Sequence, residues 1–170
     1  MQSTVKLQTL QFSNYKTYIF ALLFILGNII LPQIFHFVPQ GGVTWLPIYF
    51  FTLIGAYLYG WRVGLLTAVL SPVVNCMLFG MPIPAVLPNI LLKSILLAGF
   101  AGYAAYRFKK VSLAALFAVV LGYQVIGTLG EWAIIGNLYS ACQDFRIGIP
   151  GMLMQIFLGY ALLRITQRSK

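Results

Sequence analysis

Lys93 and Glu131 stand inside long apolar stretches, and a charge in that setting needs a partner or a task. Lys93 follows LPNILL and precedes SILLAGF, while Glu131 closes the run VLGYQVIGTLG. Asn89 lies four residues before Lys93, so a helix sets the amide and the amine on one face. Asn75 and Cys76 form a second polar pair, an amide beside a thiol, near the end of SPVVNCMLFG. Gln124 and Asn137 are expected at a comparable depth. Such a set suits the binding of a small molecule by charge and hydrogen bonds. Trp132, Asn137 and Tyr139 are further wall candidates, and Met81 is a nearby sulfur kept in the set. Plainer roles stand beside these: Lys93 and Glu131 as a structural ion pair, Cys76 as a small buried hydrophobe, and Met77 and Met81 as packing. Trp45, Tyr49, Trp132 and Tyr139 fit an interfacial aromatic belt. The lone histidine, His36, reads as a loop cap, and Asp144 and Arg146 as a pair across one loop.

Catalysis has little material here. The chain carries two acids and one histidine, which leaves general acid–base chemistry almost nothing to use. It lacks a Gly-x-Ser-Gly nucleophile, a His-Glu-x-x-His metal motif and a Walker motif. One aspartate is too few for a lipid phosphotransferase, and two cysteines without a Cys-x-x-Cys or Cys/His spacing suggest neither zinc nor a disulfide framework. No catalytic residue and no cofactor is expected.

The elements that must carry these residues follow from composition. Of 170 residues, 61% are hydrophobic and 8% charged, where a soluble domain carries about 25% charged residues. This is the profile of an all-α, multi-pass membrane protein. At roughly 20 apolar residues per span, six spans are expected over residues 17–38, 43–59, 62–79, 87–106, 111–132 and 147–165. Residues 1–16 form a polar segment too hydrophilic for a signal peptide, and residues 17–170 one membrane domain. Lys6, Lys16, Arg62, Arg107, Lys109, Lys110, Arg164, Arg168 and Lys170 fall on one side of this arrangement, and Arg146 on the other. That bias makes both termini cytoplasmic. The net charge of +9 therefore reports topology rather than nucleic-acid binding, since the cations sit in short gaps between apolar runs. Three outer loops then remain, at residues 36–42, 80–86 and 133–148. Gly55, Gly60 and Gly64, with Ala56 and Ala68, give spans two and three small faces for close contact.

The segment from Gly60 to Asn89 breaks at Gly80-Met81-Pro82 and Pro84 before a new helix opens at Pro88, where a missing N–H costs little. The blocks GWRVGLLTAVLSPVVNCMLFGMP and LPNILLK, with the six short spans and basic inner side, resemble the S components of energy-coupling-factor vitamin transporters. The resemblance covers most of the chain and places it in a bacterial plasma membrane. It implies a water-soluble vitamin held beneath the outer loops by the outer parts of spans four to six. It also implies a membrane coupling subunit with two ATPases as partners. The usual span-one Ala-x-x-x-Ala docking patch is not evident, because YIFALLFILGN offers small residues only at Ala21 and Gly27. A solitary protein is thus the other expectation.

A cysteine at the outer end of span three looks like the solitary cobalamin-uptake members. That likeness makes Cys76 an axial ligand to the cobalt of a bound corrinoid, with cobalamin the leading substrate. An anionic vitamin such as pantothenate, bound through Lys93, is the alternative. A structural or channel-like membrane protein is the further one, although a channel needs a continuous polar stripe that the inner halves of the spans lack.

Overall fold

Caps and left-handed residues set the helix boundaries. Asn14 Oδ1 accepts the Lys16 backbone N–H at 3.0 Å and opens α1, Tyr15–Phe35. His36 closes that helix, its N–H donating back to Pro32 and Gln33 carbonyls, in keeping with a capping role. The computed structural model describes residues 9–168. Within them follow α2 (Gly41–Trp45), a 3₁₀ turn (Pro47–Tyr49), α3 (Phe50–Tyr59), α4 (Trp61–Phe79), α5 (Leu87–Phe108) and α6 (Leu113–Ile135). The short α7 (Leu138–Ala141) and α8 (Gln143–Arg146) lead into α9 (Ile149–Arg168). Gly60, Gly80 and Gly136 end α3, α4 and α6 at positive φ, where a Cβ is strained. Among the described residues there is no strand. Lys6 and Lys170, two of the cations used for orientation, and the first half of the polar 1–16 segment lie outside them.

Five helices, α1, α4, α5, α6 and α9, are long and apolar enough to cross a membrane. The second expected span, residues 43–59, is corrected. Leu46 takes a left-handed φ of 48° and Pro47 has no N–H, so the segment breaks into α2, the 3₁₀ turn and a ten-residue α3. At 1.5 Å per residue α3 is about 15 Å long, half of the roughly 30 Å hydrocarbon core. It compensates by position. α3 packs against α1, α4, α5 and α9, and Leu53, Ala56 and Tyr57 are fully buried, so its backbone ends meet protein rather than lipid.

Small residues bring the helices together. A methyl on Gly64 would overlap Ala56, and one on Gly102 would sit 2.6 Å from Trp61 Cβ. Gly27 rests on the Phe51 ring. A buried hub of polar side chains ties α1 to α3 and α4. Asn28 Nδ2 donates to Thr52 Oγ1 (3.0 Å) and Ser71 Oγ (3.2 Å), and Asn28 Oδ1 accepts the Phe51 N–H (3.0 Å). Asn75 joins this hub through the Asn28 and Ser71 carbonyls. In a medium without water, such hydrogen bonds between helices fix their mutual rotation.

Candidate functional site

The first turn of α5 carries Pro88, and Asn89 and Lys93 follow on the face turned toward α6. Lys93 is 3% exposed. Its Nζ lies 2.5 Å from Glu131 Oε2 of α6 and 2.8 Å from Asp144 Oδ2 of α8. Asn89 Nδ2 donates to the other Glu131 oxygen at 3.3 Å. Glycine makes this meeting possible: a Cβ on Gly127 would stand 2.6 Å from Lys93 Cγ, and one on Gly130 would stand 2.5 Å from Leu92. α8 reaches the cluster because Gly148 and Gly151 let α9 settle against the Asp144 and Trp45 backbones.

Around these charges lies a recess of about 150 Å³. Asn89, Ile90 and Lys93 form one wall, Glu131, Gln143 and Asp144 a second, and Gly42, Val43, Leu46, Ile48 and Tyr49 a third. One ammonium between two carboxylates leaves the cluster with one net negative charge, and Asn89 Oδ1 is buried without a partner. A larger cavity of about 370 Å³ lies along α5 near its opposite end, lined by residues such as Tyr57, Trp61, Gly99, Tyr103 and Tyr106. Among the described residues its walls carry no charged side chain, so the smaller recess is the site with chemistry.

Of the residues singled out in the sequence, the fold gathers Asn89, Lys93 and Glu131. The others lie apart from the recess lining. Asn75 belongs to the Asn28 hub. Cys76 is a half-buried free thiol on α4. Met81 and Trp132 are 43% and 45% exposed, on faces of the α4–α5 loop and α6 that turn outward. Asn137 caps α7, its Oδ1 accepting the Ser140 N–H. Exposed Tyr139 stacks under the Arg146 guanidinium, 3.7 Å from the ring centroid. The expected Asp144–Arg146 pair is corrected, since Asp144 turns inward to Lys93 while Arg146 bonds the Tyr139 hydroxyl at 2.6 Å. Gln124 is also deeper than expected: it sits seven residues, about 10 Å of helix, below Glu131 and bonds Tyr123. Asp144 and Tyr49 are the functional candidates that sequence reasoning missed. The available signal was arithmetic, because Asp144 is one of only two acids in the chain. Among the described residues no group of three His, Cys, Asp or Glu side chains is placed to hold a metal.

A family model described as the substrate-specific component of ECF transporters matches residues 19–165. Neither the curated proteins nor the solved structures give a match.

Proposed function

The chain belongs to the substrate-specific components of ECF transporters, multi-pass plasma-membrane subunits that bind substrate and are not enzymes, and from that premise we propose that its substrate sits in the Lys93–Glu131–Asp144 recess. Members of this family usually couple to a transmembrane subunit and ATPase modules. One observation carries the reading: three ionisable side chains from three separate helices converge, nearly buried, on a cavity at one end of an otherwise apolar bundle. A purely structural pair needs one acid. Here a second carboxylate crowds the same ammonium and leaves surplus negative charge, which a cationic or strongly donating group of the substrate would neutralise.

The substrate we infer is a small water-soluble nutrient of the vitamin class with a protonated or donor-rich polar end. An anionic vitamin held by Lys93 gains less from this arrangement, because the ammonium already faces two carboxylates. The corrinoid reading keeps Cys76 as cobalt ligand, but that thiol is on α4, outside the recess lining. It rests on the sequence resemblance alone. The outward sidedness of the recess is part of the same proposal. Lys16, Arg62, Arg107, Lys109, Lys110 and Arg164 all attach to helix ends opposite it, and a cationic end faces the cytoplasm.

The experiment is purification from cells grown in rich medium, with mass spectrometry of whatever small molecule is released on denaturation. A stoichiometric basic compound, absent from Glu131→Gln and Asp144→Asn protein, is the expected result. A coloured corrinoid lost in Cys76→Ser but retained in Lys93→Met would replace this reading with the cobalt one.

A further inference from the structure

Beneath the recess, α6 and α9 bury polar groups that the charge cluster does not use. Tyr123, Gln124 and Gln155 are each 0% exposed. Gln124 Nε2 donates to the Tyr123 hydroxyl at 3.0 Å, and that hydroxyl donates to Gln155 Oε1 at 2.9 Å. Each amide therefore spends one end on the tyrosine. The remaining ends, Gln124 Oε1 and Gln155 Nε2, are buried with no hydrogen-bond partner. Ser94 Oγ and Thr128 Oγ1 are orphaned in the same way.

Orphaned polar atoms are a cost that buried structure seldom tolerates without a purpose. These four are also ordered in space. Thr128 and Gln124 descend from Glu131 at intervals of three and four residues, the spacing of one helix face. Ser94 adjoins Lys93, whose stem packs on Gly127. Tyr49, a wall of the recess, lies 5.7 Å ring to ring from Tyr123. The row thus runs downward from beneath the recess lining, past the Lys93 stem.

We propose that Gln124 and Gln155 form the floor of the binding site and read an uncharged edge of the substrate bearing an N–H beside a C=O, as in a lactam, a ureido group or a pyrimidinone. Tyr123 is the positioning residue that commits each amide. Because a hydroxyl gives one hydrogen and accepts another, exchanging the N and O ends of both amides still leaves one free donor and one free acceptor. The specificity is thus built into the triad whichever way it is oriented. This inference rests on the reading that the recess above holds substrate, and it adds a chemical class: cationic or donor-rich at the top, amide-like at the base.

The test titrates ligand-free protein in detergent with the dialysable fraction of yeast extract and follows the melting temperature. Mass spectrometry then identifies the molecule retained. Gln124→Met and Gln155→Met should melt near wild type without extract and need at least about tenfold more extract for the same shift, because a site built around hydrogen bonds discriminates strongly when one is lost. Thr128→Val, which removes a hydroxyl that no protein group uses, is the second variant should a glutamine replacement fail to fold, and it should weaken the response in the same direction. Equal titrations for these variants and wild type, with the response lost only in Glu131→Gln, overturn the floor and leave the recess standing. A retained molecule lacking an N–H/C=O edge also overturns it. No response from wild type removes both.

Discussion

Lys93 is a residue whose removal and neutralisation should have opposite consequences. Taking away one partner of a buried ion pair leaves uncompensated charge and costs about 3–5 kcal/mol. Lys93→Met leaves Glu131 and Asp144 facing each other and should fall at the upper part of that range. The triple replacement Lys93→Met, Glu131→Gln, Asp144→Asn leaves no charge and should recover most of the loss, while still failing to bind substrate. Chemical unfolding in micelles measures both; a triple variant as unstable as the single one would mean the cluster holds the fold by shape rather than charge. Three of the four residues of this cluster, Asn89, Lys93 and Glu131, were legible in the sequence. The four-residue interval from Asn89 to Lys93, and the shared depth of Lys93 and Glu131 in apolar runs, pointed to one another. Asp144 was not legible, because its nearest cation along the chain is Arg146. Two residues of helix turn the chain by about 200°, sending the acid inward and the guanidinium onto Tyr139.

At the scale of elements, the long helices emerged within a few residues of their expected limits: α4 covers Trp61–Phe79 against an expected 62–79. Hydrophobic length determines such segments. The segment at 43–59 is different, since an unbroken apolar run concealed the backbone break at Leu46-Pro47. A proline does bias its predecessor away from α geometry, and that local signal outweighed the run. The short α3 then depends on intimate contact with its neighbours. Gly64→Leu should be strongly destabilising, since even a methyl overlaps Ala56 and approaches Ala98 at 3.2 Å, and overpacking of a tight core costs about 1–3 kcal/mol or more. Gly99→Ala is the control, as nothing lies within 4 Å of the point its methyl would occupy. Comparable losses from both substitutions would show that α3 does not lean on α4 through this contact. The small residues of α1 are spent the same way: Ala21 is buried and Gly27 meets Phe51, so neither offers a surface for a coupling subunit.

For the molecule as a whole, the two ends are chemically unlike. One holds both acids of the chain around a lysine, and the other carries most of the remaining cations and no acid. If the recess faces outward, a membrane-impermeant maleimide on intact cells should label Ser140→Cys and spare Lys109→Cys, each made in a Cys76→Ser, Cys142→Ser background. Both positions are exposed, so the reverse pattern would invert the orientation. If substrate sits in the recess as proposed, its movement across so apolar a bundle comes from reorienting or coupling the whole body. The most direct measurement is an experimental structure of protein purified from rich medium without exchange of its bound molecule. Density for that molecule within hydrogen-bonding distance of Lys93, Glu131 or Asp144 is the result expected. A recess closed by the ion cluster alone, with the molecule seated beside Cys76 or along the outer face of α5, would contradict it.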